Sequence, residues 1–109
     1  MDIVYREQDL EDLCTDERRA KRKLGQQGFK KLRTRLAELE AAARVTDLVA
    51  GHPHPLKGDR YGQFALDLDG GRRLVFQPTA QPPPTAPDGG IAWNLVVSIE
   101  IVYIGDYHD

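Results

Sequence analysis

The chain has 109 residues, one cysteine and a net charge of −2, which excludes an internal disulfide framework and any multi-cysteine zinc site. At 40% hydrophobic and 29% charged it is globular in composition, and its length suits one domain spanning residues 1–109. No apolar run approaches the roughly 20 residues of a membrane span, the acidic N-terminal stretch is unlike a signal peptide, and the lone Cys14 suits the reducing cytoplasm.

In chain order, Ile3-Val4-Tyr5 is a short apolar run and predicts a first strand. Asp9 offers a helix N-cap, with Leu10, Leu13 and Cys14 on one face. Thr15 offers a second cap, followed by Asp16 and Glu17, whose charges complement a helix N-terminus. That helix should end near Leu24-Gly25, since glycine reaches positive φ without a Cβ penalty. A second amphipathic helix of about four turns follows from Phe29, Leu32, Leu36, Leu39 and Ala43, spaced at helical intervals. A coiled coil is the alternative for it, but the pattern runs for too few heptads. Residues 45–50 add a further turn before Gly51.

Charge is segregated along the same path. Residues 1–17 hold seven acids and one base, residues 18–44 ten bases and two acids, and residues 45–109 four bases and eight acids. The dense block of Arg18, Arg19, Lys21, Arg22, Lys23, Lys30, Lys31, Arg33 and Arg35 is suited either to phosphate or to a solvated helix face.

Beyond His52 the period changes to two. Phe64, Leu66 and Leu68 alternate with Ala65, Asp67 and Asp69, predicting a half-buried strand. Asp69-Gly70-Gly71 supplies a tight hairpin, and Arg73-Leu74-Val75-Phe76 returns. Residues 78–90 hold five of the seven prolines and predict an irregular loop. Residues 99–104 are a β-branched run suited to a strand buried on both faces in the middle of a sheet. The expected class is α+β: two N-terminal helices packed on one face of a twisted antiparallel sheet. Its other face is partly open, with Asp67 and Arg73 directed there.

Polar residues of interest gather at residues 52–60 and 106–109. His52, His54 and His108 are metal-ligand types, but a His-Pro-His loop lacks the i, i+4 geometry of a helical metal site, and no metal is expected. The one serine, Ser98, falls in a predicted buried strand, Cys14 reads as a core residue, and neither glycine pair precedes a helix and lysine as a phosphate loop requires. General acid–base chemistry on a phosphodiester remains. Cleaving RNA requires a base for the 2′-hydroxyl, cations for the charge at phosphorus and an acid for the 5′-oxygen. His54 and His108 are candidates for base and acid. Lys57, Arg60 and Arg73 are candidate phosphate clamps, and Tyr107 is suited to stacking on a base or donating a proton.

Four segments together, His54-Pro55-Leu56-Lys57-Gly58-Asp59-Arg60, Gly62-Gln63-Phe64, Arg73-Leu74-Val75-Phe76 and Asp106-Tyr107-His108, with Lys23-Leu24-Gly25 ahead of them, resemble the HigB branch of the RelE/ParE toxin superfamily over nearly the whole chain. The resemblance implies the RelE-like fold and a ribosome-dependent, metal-independent mRNA endoribonuclease that needs no cofactor. It implies a HigA-type helix-turn-helix antitoxin as partner, with operator DNA contacted only through the antitoxin complex. By motif, it places catalytic roles on His54, Asp106, Tyr107 and His108, and substrate binding on Lys57, Arg60 and Arg73. Arg18, Arg19, Arg22, Lys23, Lys30 and Lys31 are the candidates for ribosomal RNA. The alternatives are a ParE-like gyrase inhibitor, or a non-toxic relic that only binds its antitoxin.

Overall fold

The computed structural model describes residues 1–107. Strand β1 (Asp2–Tyr5) leads into helix α1 (Gln8–Thr15) and the long helix α2 (Glu17–Ala41). Strands β2 (His54–Pro55), β3 (Phe64–Asp67), β4 (Arg73–Pro78) and β5 (Ser98–Gly105) follow. The sheet order is β1-β5-β4-β3-β2. Neighbours from β2 to β5 are antiparallel, whereas β1 runs parallel to β5. The sheet is therefore mixed, not wholly antiparallel as expected. A parallel pair needs a long crossover, and here both helices and the rest of the sheet lie between its members.

Asp16 separates the helices. Its backbone is extended, and its carboxylate accepts from the backbone N–H groups of Arg18 (3.0 Å) and Arg19 (3.3 Å). This is an N-cap one residue beyond the expected Thr15, whose hydroxyl instead donates to the Glu11 carbonyl at 2.8 Å. The break expected at Gly25 is a kink inside α2, with φ 78° and ψ 176°. That region of backbone space is accessible almost only to glycine. At the break the Leu24 carbonyl accepts from Arg72 Nη1 at 2.7 Å. The far end of α2 is closed by the Met1 ammonium, which donates to the carbonyls of Leu39, Glu40 and Ala42 and so meets the negative end of the helix dipole.

The main core forms between helices and sheet. Leu13, Ala20, Leu24, Phe29, Leu32 and Leu39 pack against Phe64, Leu66, Leu74, Phe76, Ile99, Ile101 and Ile104. Where β1 meets α1, burial pushes the Cys14 thiol up to about 12, a Tyr5 hydrogen bond opposing it. Burial, with Cys14, Glu11 and Glu40 alongside, likewise pushes the Tyr5 phenol up to about 12.

A smaller cluster lies on the opposite face: Ala65, Val75 and Val102, with Leu56, Tyr103 and Tyr107 packed on it. Ala65 is thus buried, and β3 is covered on both sides rather than half-exposed as its alternation suggested. A bulge shapes this face. Val75 pairs with Tyr103 but Phe76 with Ile101, so Val102 is an extra residue in β5. The extra residue reverses the alternation. Ile99 and Ile101 face the helices, and beyond Val102 it is Ile104 that does, leaving Tyr103 on the open side.

The hairpin at residues 69–72 closes as expected, with Arg72 N–H donating to the Asp69 carbonyl at 2.9 Å and positive φ at Gly70 and Gly71. Residues 79–92 form an irregular loop around a single bridge between Thr85 and Ile91.

Candidate functional site

The open face is laid out by strand register. His54 pairs with Ala65, Ala65 with Val75, and Val75 with Tyr103, one row across four strands. The adjacent row is Asp67, Arg73 and Gly105. Small side chains in the middle of the first row leave a shallow floor, over which Leu56 and Tyr107 pack.

At one end of the row stands a guanidinium between two phenols. A short 3-10 turn, Gly58–Arg60, carries Arg60 over the rings of Tyr103 (4.9 Å to the centroid) and Tyr107 (4.4 Å). The two rings meet edge to face at 6.0 Å. Arg60 Nη1 also donates to Gln63 Oε1 at 3.1 Å. Cation–π contacts of this kind contribute about 0.5–2 kcal/mol each and here hold the positive charge flat against the face. The Tyr103 hydroxyl donates to the Asp106 carbonyl at 3.1 Å, pinning the segment that leads to Tyr107. The Asp106 carboxylate lies beside the hairpin, where a Cβ on Gly71 would stand 3.6 Å from its Oδ2.

In the adjacent row, Arg73 Nε lies 2.9 Å from Asp67 Oδ1. That oxygen is shielded from solvent and held by charge, without an aligned hydrogen bond. The second oxygen of Asp67 is 3.7 Å from His52 Nδ1. The His52 ring stacks on His54 at 4.5 Å, and His54 Nδ1 is 2.7 Å from the His52 carbonyl. Half-buried His54, Arg60, Arg73 and Tyr107 thus lie on one face, and exposed Asp106 borders it. Lys57 is exposed at the start of the 3-10 turn. His108 lies outside the described residues. Among those described, no three His, Cys, Asp or Glu side chains converge as a metal-binding group.

The basic block divides. Arg18, Arg19, Arg22, Lys23, Lys30 and Lys31 are exposed on α2, across the sheet from the open face. Arg19 is tied to Asp12 at 2.9 Å and to Asp16 at 3.8 Å. Arg35 instead is buried, donating through Nε to the Asp67 carbonyl at 3.0 Å and through Nη1 to Glu38 Oε1 at 2.6 Å. Its position three residues from Leu32 and four from Leu39 is the sequence signal that places it in the apolar stripe. Asp67, Tyr103 and His52 are the site residues that sequence reasoning left unassigned. The strand parity of Asp67 was legible, whereas the orientation of Tyr103 depends on the bulge.

Solved structures share this architecture. A YoeB/ParE toxin from Agrobacterium tumefaciens superposes with a TM-score of 0.60 at 15% identity, covering 99% of this chain and 100% of that one. The fold is that of the YoeB/ParE toxins. A YoeB–YefM complex from Staphylococcus aureus gives 0.56 at 17% identity, and a YoeB dimer from the same organism 0.57 at 18%. Each of these matches covers 100% of this chain and 98% of the other. No protein-family model and no curated protein matches the sequence. No helix among the described residues is long and apolar enough to cross a membrane.

Proposed function

We propose that this chain is the toxin of a type II toxin–antitoxin system, a one-domain cytoplasmic protein that cleaves messenger RNA on the ribosome without metal or cofactor. The observation that carries this reading is the open face of a YoeB/ParE-like fold, which presents an imidazole, two guanidinium groups and two phenols on one side of the sheet. In-line attack by a 2′-hydroxyl needs a base near the sugar, positive charge around the phosphoryl oxygens and a proton for the departing 5′-oxygen. His54 and His108 share the proton transfers, with Asp106 orienting or tuning a histidine. Arg73, Arg60 and Lys57 hold the phosphate, and Tyr107 orders the adjoining base by stacking. Arg73 arrives already paired with Asp67, so its guanidinium has an anionic partner both before and after phosphate binds.

Within the RelE/ParE superfamily the histidine-led segment at residues 54–60 and the Asp106-Tyr107-His108 end support a HigB-like enzyme. The partner is then a HigA-type helix-turn-helix antitoxin, through which operator DNA is bound. The similar S. aureus toxin is itself found in complex with YefM.

The test is inducible expression of the wild type, His54→Ala and His108→Ala, with message 5′-ends mapped within minutes. New cleavages in translated messages are expected from the wild type alone, the variants losing arrest while melting within about 2 °C of it. Arrest without cleavage but with DNA-damage signalling would favour the gyrase reading, and no arrest the relic that only binds its antitoxin.

A further inference from the structure

We infer that Tyr103 is a positioning residue, which with Tyr107 seats the Arg60 guanidinium for the phosphate, and that Gly105 is the glycine this seat requires. The inference rests on the nuclease reading above and adds to it how one of the phosphate clamps is held.

Arg60 ends a 3-10 turn outside the sheet, and its long side chain has many rotamers unless something fixes it. Three contacts do so: the Tyr103 ring at 4.9 Å, the Tyr107 ring at 4.4 Å and Gln63 Oε1 at 3.1 Å. The two rings stand at 73° to one another, and the cation lies in the angle between them. A ring face attracts the charge as a whole and supplies no lone pair to a particular N–H. A guanidinium has five N–H donors, and Gln63 accepts from one nitrogen. The rest of its rim can meet phosphate oxygens while the rings still hold it. A carboxylate seat would compete for those same donors. A side chain already ordered in the free protein also loses less freedom when the phosphate arrives.

Gly105 ties Tyr103 to this task. It is not among the glycines with positive φ, so its backbone conformation does not call for glycine. A Cβ there would instead stand 2.8 Å from the Tyr103 hydroxyl oxygen and 3.0 Å from Cζ of the same ring. The phenol therefore lies back along its own strand, over a position with no side chain. Gly105 pairs with Arg73, so the ring runs from Arg60 into the row of the second clamp. Its hydroxyl donates to the Asp106 carbonyl at 3.1 Å, which fixes the far end of the ring. Covering Val75 and Val102 needs only an apolar side chain, whereas holding the Arg60 cation needs a π face.

The test is a double-mutant cycle on message cleavage by ribosome-bound toxin, with proton spectra of the Arg60 side chain. Protons over an aromatic face are shifted upfield, and those of Arg60 should be so in the wild type. Tyr103→Leu should move them toward their random-coil positions and lower kcat/KM by about tenfold. Tyr103→Phe, which keeps the ring, should recover most of both. In an Arg60→Ala background Tyr103→Leu should change kcat/KM by less than about twofold, because a residue acting only through Arg60 has nothing left to position. Gly105→Ala displaces the flexible end of the ring without emptying the cluster beneath it, and should reproduce Tyr103→Leu in both backgrounds. It carries the cycle by itself if Tyr103→Leu does not melt cooperatively. An equal loss with and without Arg60, or variants with Arg60 shifts and kcat/KM unaltered, overturns the inference. A wild type with the upfield Arg60 signals that cuts no message overturns the phosphate role through the functional reading, leaving the seat itself intact.

Discussion

Arg72 and Arg73 stand side by side at the start of β4, and their guanidinium groups leave the chain in opposite directions. Arg72 reaches the helical layer and caps the Leu24 carbonyl, with Asp69 Oδ1 at 3.4 Å from the same Nη1. Arg73 lies on the open face against Asp67. The two substitutions should therefore separate stability from activity. Arg72→Ala leaves a kinked helix with an unpaired carbonyl and should cost about 1–3 kcal/mol in denaturant unfolding. Arg73→Ala breaks a half-exposed pair of little structural worth, about 0–1 kcal/mol, but on the proposed nuclease reading should lower message cleavage by about a hundredfold. A Arg73→Ala protein as active as the wild type would remove it from the phosphate site. Charge and propensity do not separate two adjacent arginines, but the alternation of β4 does, and it already directed Arg73 to the open face. Only the pleat assigns each to a layer.

Helices and strands show how far local pattern reaches. The break at Gly25 is where glycine placed it, and no neighbour crowds that position. Gly25→Ala should thus act through backbone alone, destabilising by about 1–3 kcal/mol as read by chemical denaturation. The stripe from Phe29 to Leu39, the hairpin at Gly70-Gly71 and the alternation of β3 and β4 were all legible, since each is set by neighbours a few residues apart. The parallel pairing of β1 with β5 was not, because its partners are nearly the whole chain apart. The burial of Ala65 was not legible either, because Leu56 and Tyr107 cover it from distant segments.

The junction of β1 and α1 carries its own pH dependence. Cys14 and Tyr5 keep their protons to about 12 in the fold but lose them near the ordinary 9.0 and 10.0 once unfolded. The unfolded chain then binds fewer protons, so stability falls as pH rises. The contribution is complete below about pH 9 and is lost from there toward 12. Melting temperature should be level between about pH 7 and 8.5 and decline above 9, and Cys14→Ala should soften the first part of the decline.

Across the whole molecule the sheet separates two kinds of surface. The helical layer presents the exposed cations of α2, and the open face presents His54, Arg60 and Arg73. If the helical cations meet ribosomal RNA, Lys30→Glu with Lys31→Glu should weaken ribosome binding and lower its salt slope by about one per lost phosphate contact. Thermal stability should stay unchanged, as neither lysine makes an ion pair in the described structure. An unaltered salt slope would assign this surface to another role.

The bulge at Val102 also constrains how such a chain can diverge. Removing Val102 alone would restore plain alternation, with Ile101 and Ile104 toward the helices and Tyr103 still on the open side under Arg60. Removing both Val102 and Tyr103 would take away one of the rings that hold Arg60 and turn Ile104, now next to Ile101, to the open side. At this point of the last strand, loss of the single extra residue should therefore be tolerated and loss of two rejected, a spacing rule that alignments blind to parity would miss.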